Sequence, residues 1–243
     1  LLTSSAASDV YKRQLFFFKK YLVWTDKPKL QLIRGLILLT ANISFFYSIS
    51  VISLPKALTL AFVAPLVVTA FSPFFLGESV GYRRWAAVII GFIGSLVVIR
   101  PGFLEINLAS LAALGTGIMY GFYLIITRKL STSDNPLLTL LLTGVVGAII
   151  ATTFMPFVWV SPTFNQWSIM AAIGLFACIG HLFIILSLKY ADASKLAPFS
   201  YFEIVTNIII AYYFFGDFPD SWTFLGLFII CLLYTSPSPR DIP

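Results

Sequence analysis

The stretch KALTLAFVAPLVVTAFSPFFLGE runs from Lys56 to Glu78, and KLAPFSYFEIVTNIIIAYYFFGD runs from Lys195 to Asp217. Each opens on a lysine, crosses an apolar run and closes on a glycine followed by an acid. Lys56 and Lys195, Gly77 and Gly216, and Glu78 and Asp217 are each 139 residues apart. Each run has the length of one bilayer-spanning helix, since ~20 residues at 1.5 Å rise cover a ~30 Å hydrocarbon core. A repeat of this kind in an apolar chain predicts a transporter made of two halves.

Composition agrees with a membrane setting. The 243 residues are 59% hydrophobic and 11% charged, with a mean hydropathy of +0.93. A soluble domain carries about 25% charged residues. The net charge of +6 is no nucleic-acid signal. The charges sit between apolar runs, and no basic patch is interleaved with aromatics. Cys178 and Cys231 both lie in apolar stretches and form no CxxC pair. They predict neither a disulfide framework nor a metal site.

The two ends differ from everything between them. Residues 1–14 (LLTSSAASDVYKRQ) and 231–243 (CLLYTSPSPRDIP) look like translated adapter read-through, and we set them aside as non-native. Residues 15–24 then read as the tail of a lost helix, and the native protein as longer at both ends. Eight spans are expected: 32–53, 57–76, 85–99, 108–127, 137–158, 168–188, 196–215 and 222–233. Only helices or closed barrels satisfy backbone groups in lipid, and runs this long argue against barrel strands.

Loop charge predicts orientation. Alternate loops and their edges hold eleven basic residues: Lys19, Lys20, Lys27, Lys29, Arg34, Arg83, Arg84, Arg128, Lys129, Lys189 and Lys195. The intervening loops hold two, Lys56 and Arg100. The rich set is expected in the cytoplasm. The span from Lys56 then runs inward and the span from Lys195 outward, so the same skeleton is inserted in opposite senses. Five spans per half fit the 139-residue offset.

Several motifs carry a resemblance. Leu54-Pro55-Lys56-Ala57, Ala64-Pro65-Leu66, Leu76-Gly77-Glu78, Arg83-Arg84-Trp85, Gly91-Phe92-Ile93-Gly94 and Arg100-Pro101-Gly102 follow one another in the first half. Ala197-Pro198, Gly216-Asp217, Trp222 and Gly226 echo them in the second. In this order they resemble the drug/metabolite transporter superfamily, EamA type. The resemblance covers nearly all of residues 30–230. It implies ten helices in two inverted five-helix repeats, cytoplasmic termini and a central substrate cavity. The repeats are placed at 15–106, incomplete, and 107–230. The first helix and most of the second are missing from the pattern.

Candidate site residues are polar groups at membrane depth. Glu203 lies inside an apolar run, where a carboxylate is expensive and usually faces a cavity or partner. Ser200, Glu203 and Asn207 would share one helical face. This stripe suits a polar substrate group or a coupling proton; the alternative is a glutamate that locks helices together. His181, the only histidine, could titrate near neutral pH or donate to substrate. A neutral ring bonded to a neighbouring helix is its alternative. Tyr120 and Tyr123, with Thr116 and Thr127, offer a stacking face and hydroxyls for a planar metabolite, or simply pack between helices. Asn42 could line the cavity or bond across helices. Pro65 near mid-span could kink its helix beside the site. Gly117 and Gly121 form a GxxxG pair, like Gly144 with Ala148, expected to pack helices within the monomer. Glu78 is expected to cluster with Arg83 and Arg84.

The sequence therefore predicts an all-α polytopic membrane protein in the bacterial inner membrane, with a cytoplasmic C-terminus, as monomer or homodimer. The expected activity is secondary transport of a small organic metabolite (an amino acid, vitamin or nucleoside-like compound) by alternating access, coupled to a proton or by exchange. No catalytic residues, cofactor or metal are expected. No GxxxxGK[ST] loop occurs, so ATP drive within the chain is not predicted. An intramembrane enzyme or a non-transporting scaffold is the alternative.

Overall fold

The computed structural model describes residues 25–52, 54–99, 107–215 and 221–232. The expectations for both terminal segments, for Arg100-Pro101-Gly102 and for Gly216-Asp217 lie outside the described residues, as does the side chain of Asn207. The chain is an all-α polytopic membrane protein. Its helices are α1 Pro28–Val51, α2 Leu54–Ala61, α3 Ala64–Leu76, α4 Tyr82–Ile99, α5 Leu108–Ser131, α6 Pro136–Val158 and α7 Phe164–Tyr190. The short α8 Ala193–Leu196 and a 3-10 turn Ala197–Tyr201 follow, then α9 Phe202–Phe215 and α10 Ser221–Leu232.

Local chemistry sets the helix starts. Pro28 and Pro136 open α1 and α6, where a missing N–H costs nothing. Asn107 caps α5 by accepting from the Ser110 amide at 2.9 Å, and Asn135 caps α6 from the Leu137 amide at 2.9 Å. Thr163 and Gln166 form a reciprocal capping box on α7. Gly77 ends α3 in the left-handed region at φ 69°, a conformation glycine adopts without strain.

Helices Pro28–Val51, Leu108–Ser131, Pro136–Phe157 and Phe164–Tyr190 are long and apolar enough to cross a membrane. Only 6% of the most apolar window of α7 is buried. Such bare apolar surface is stable where lipid replaces water. α5 is the central helix, packed on α1, α2, α3 and α7, while α10 lies on α4. A core of Phe62, Val68, Val88, Ile125, Leu188, Tyr201 and Ile204 joins the two halves of the chain.

The 139-residue offset returns in the helix ends. Val51 and Tyr190, Leu54 and Ala193, Leu76 and Phe215, and Tyr82 and Ser221 are all spaced by it. The expected single spans 57–76 and 196–215 are instead each broken. Phe62 and Val63 separate α2 from α3, and the 3-10 turn separates α8 from α9. Pro65, with the offset position at Ile204, lies in the first turn of α3 and starts that helix instead of kinking a continuous one. The first break is gripped by α5. A Cβ on Gly117 would fall 2.5 Å from the Ala61 carbonyl oxygen, and one on Gly121 would fall 2.7 Å from Val67 Cγ1. The glycine pair therefore packs within the monomer, as its spacing predicts.

Candidate functional site

α1, α5, α6 and α7 border an open-sided cavity of about 670 Å³. Its wall is apolar, built from Leu38, Leu39, Leu140, Leu141 and small residues such as Gly144 and Gly174. Gly144 has open space where a Cβ would stand, so the expected Gly144–Ala148 packing face does not form there and the glycine widens the cavity instead. A few polar groups converge on this wall: Asn42 from α1, Tyr123 from α5, Thr143 from α6 and His181 from α7. The free thiol of Cys178, one turn before His181, also lines it. An apolar pocket with few placed polar groups is the usual form of a small-molecule site.

Asn42, Tyr123 and His181, picked out in the sequence on separate helices, thus meet in one place. Tyr123 and His181 touch directly, with the phenol oxygen 3.1 Å from His181 Nδ1 and the rings edge to face at 5.7 Å. Tyr120 stacks on Tyr123 at 5.6 Å between centroids. The other candidates are placed differently. Pro65 is buried at the start of α3, away from the cavity wall. Ser200 and Glu203 do not share a continuous α-helical face, because Ser200 belongs to the 3-10 turn and Glu203 to the first turn of α9. A carboxylate there gains from the positive end of the helix dipole, which offsets part of its cost at depth.

The residue the sequence misplaced is Arg34. It reads as a loop-edge charge, yet its side chain is 0% exposed inside the bundle. Nε donates to Thr127 Oγ1 at 2.7 Å, and Nη1 donates to the Thr139 carbonyl at 2.9 Å and to Thr143 Oγ1. Nη2 donates to the Tyr123 hydroxyl at 3.0 Å, and the guanidinium lies 4.8 Å from the centre of the Tyr123 ring. Below it, Gln31 Nε2 bridges Asp134 Oδ2 at 2.8 Å and Thr139 Oγ1 at 3.1 Å. Thr25 donates to the same Asp134 oxygen. The threonines at α6 positions 139 and 143 are one turn apart, a spacing that carries the signal once Arg34 is turned inward.

At one end of the bundle the halves are tied by charge. Glu78 accepts from the Ala193 amide at 2.9 Å and from the Ser194 amide and hydroxyl at 3.0 and 2.7 Å. Its direct charge partner is Arg128, at 3.4 Å; of the expected Arg83 and Arg84, Arg84 joins the cluster through Ser194. Arg84 donates to the Ser79 carbonyl at 2.6 Å and to Ser194 Oγ at 3.0 Å. Arg128 also pairs with Asp192 at 3.0 Å, as does Lys195. Burial works against ionisation of Asp192, but the Lys195 contact with Arg128 and Arg84 outweighs it and holds the carboxyl below its ordinary range.

The chain as a whole has known counterparts. The profile of the EamA-like transporter family matches residues 9–100 and again 107–233. The chain belongs to the EamA-like transporter family. Among curated relatives, the S-adenosylmethionine uptake transporter of Rickettsia bellii is 26% identical over 214 residues, covering 88% of this chain and 74% of that protein. The riboflavin transporter of Vibrio cholerae is 30% identical over 183 residues, covering 73% of this chain and 60% of that protein. The pseudopaline exporter of Pseudomonas aeruginosa is 24% identical over 200 residues, covering 80% of this chain and 69% of that protein. A solved crystal structure superposes with a TM-score of 0.75 at 19% identity, over 89% of this chain and 78% of that one. That likeness establishes the fold of this EamA-like chain.

Proposed function

We propose that this EamA-like protein is a secondary transporter that carries a small organic metabolite through the α1–α5–α6–α7 cavity by alternating access. The observation that carries this reading is the cavity itself: about 670 Å³, apolar, with Asn42, Tyr123, Thr143 and His181 converging on it. Its size suits a molecule of vitamin or nucleoside scale. The named relatives handle S-adenosylmethionine, riboflavin and pseudopaline, and the stacked Tyr120–Tyr123 pair favours a ring-bearing cargo. The two repeats, inserted in opposite senses, would rock about the broken helices α2–α3 and α8–α9.

The protein sits in the bacterial inner membrane with its C-terminus in the cytoplasm, as a monomer or homodimer. Moving Arg34 from the loop count leaves ten basic residues against two, which supports that orientation. Glu203 is the candidate for coupling to a proton; exchange without a proton is the competing cycle. A thermal-shift screen of metabolites followed by counterflow in proteoliposomes tests the reading. His181→Asn and Asn42→Ala should each lower transport of the cargo found. Wild-type rates in both variants would refute this cavity as the path. Glu203→Gln should abolish the pH dependence of uptake, and unchanged pH dependence would remove the proton.

A further inference from the structure

Arg34 is held by four hydrogen bonds, all to uncharged oxygens. No carboxylate pairs with it among the described residues; the ion pairs there join Arg128, Lys195, Glu78 and Asp192. Asp134 is separated from it by Gln31 and Thr139. A buried charge is expensive, and proteins offset it with a partner charge. Among the described residues no carboxylate contacts Arg34, and the one in its network, Asp134, is reached only through Gln31 and Thr139. If the guanidinium served only to tie α1, α5 and α6 together, a neutral amide could make several of the same bonds without the charge.

The charge is coupled to the cavity through one hydroxyl. Arg34 has no acceptor, so the Tyr123 oxygen must accept from Nη2. The Tyr123 hydrogen is then free to be donated to His181 Nδ1, 3.1 Å away, which places the ring proton on Nε2. Chains of this kind polarise one another in a low-dielectric interior. Tyr123, Thr143 and His181, all linked to this chain, line the cavity, and none of its lining residues is acidic. The Tyr123 hydrogen is thus committed to His181 and the Thr143 hydrogen to the Thr139 carbonyl, so this end of the wall presents the His181 Nε2–H as its free donor, backed by the positive charge of Arg34.

We propose that the cavity selects anions, taking the carboxylate of an organic acid at its Tyr123–Thr143–His181 end, with Arg34 as the positioning residue that supplies the positive field. The proposal rests on the transport reading, because the ligand is taken to be the cargo. It narrows that cargo to a metabolite carrying a carboxylate.

The test compares carboxylates with their isosteric amides on the purified full chain in neutral maltoside detergent. The probes are benzoate and benzamide, nicotinate and nicotinamide, and indole-3-acetate and indole-3-acetamide, with binding followed by calorimetry. A charge one residue behind the wall should favour the acid by about tenfold or more in at least one pair. Arg34→Met should bring that ratio to about one, and Arg34→Lys should restore much of it by returning the charge. Tyr123→Phe and His181→Gln should lower the ratio severalfold with Arg34 in place, and they decide the matter if Arg34→Met is not monodisperse. Equal binding of acid and amide, no binding of either, or a ratio that survives these substitutions would overturn the proposal. Counterflow of uncharged cargo that persists in such a case would leave the transport reading standing, whereas loss of all counterflow in the wild type would end both.

Discussion

Replacing Gly117 by alanine should destabilise the fold although alanine is the better helix former. Gly117 faces the first helix break, and a Cβ there would meet the Ala61 carbonyl oxygen at 2.5 Å, Val63 Cγ1 at 2.7 Å and the Ala61 carbonyl carbon at 3.0 Å. Ordinary contact begins near 3.4 Å, so α5 must retreat by close to an ångström or the break must open. Two of the three obstructing atoms are backbone, and no rotamer change relieves them. Overpacking of this kind costs ~1–3 kcal/mol, and a backbone obstruction belongs at the upper end. Alanine returns ~1 kcal/mol of helix propensity. The net loss is ~1–2 kcal/mol, which lowers the melting temperature of a chain this size by about 2–8 °C. Gly144 is the matched control, because nothing stands within 4 Å of its missing Cβ. Gly144→Ala should melt at or above the wild type. Thermal melts of the two variants in one detergent, read by loss of ellipticity, make the comparison. Equal melting temperatures, or a more stable Gly117→Ala, would refute the close packing of α5 on the break.

The charge cluster and the cavity give further expectations. Glu78→Ala should cost about 1.5–3 kcal/mol in unfolding experiments, since it removes the acceptor for three hydrogen bonds of the Ala193–Ser194 turn and leaves Arg128 with Asp192 as its one carboxylate among the described residues. Asp192 has its carboxyl held below the ordinary value in the fold, so its contribution is present at neutral pH and lost as pH falls through the carboxylate range. Asp192→Asn should therefore melt lower than the wild type at pH 7, with the gap closing below about pH 4; a gap that widens in acid would contradict the pairing. Cys178 is exposed on the cavity wall, so in a Cys231→Ser background a bulky maleimide should block counterflow, and a transported cargo should slow the labelling. Labelling without inhibition would show that cargo takes another path.

The repeat was legible because its marks are end signals. Gly77 ends α3, Lys195 lies in α8, and the described helix ends keep the 139-residue spacing. The breaks inside each copy left little trace. In lipid both sides of a helix are apolar, so the run of hydrophobic residues does not pause where the axis bends. The prolines were the clues: Pro65 marks the start of α3 beyond the first break, and Pro198 lies at the start of the 3-10 turn that makes the second. Three of the cavity residues were visible as polar side chains in apolar runs, since depth alone makes Asn42, Tyr123 and His181 costly unless satisfied. Arg34 was not, because six residues into a helix a charge can reach either water or the bundle. Only the threonines of α5 and α6 and the phenol of Tyr123 decide which. Ser200 and Glu203 were grouped on a spacing that holds only for continuous α-helix.

The first break also keeps its hydrogen bonds. The Phe62 amide still reaches the Leu58 carbonyl at 2.9 Å, Val63 reaches Leu60 at 3.3 Å, and Val67 reaches Val63 at 3.0 Å. A joint in a soluble protein can borrow water when it bends; one at membrane depth has none to borrow. This joint does not need it. Three hydrogen bonds carry the backbone from one helix to the next, and Pro65 has no amide to leave unpaired, so flexing there strands fewer polar groups in lipid. It can work dry.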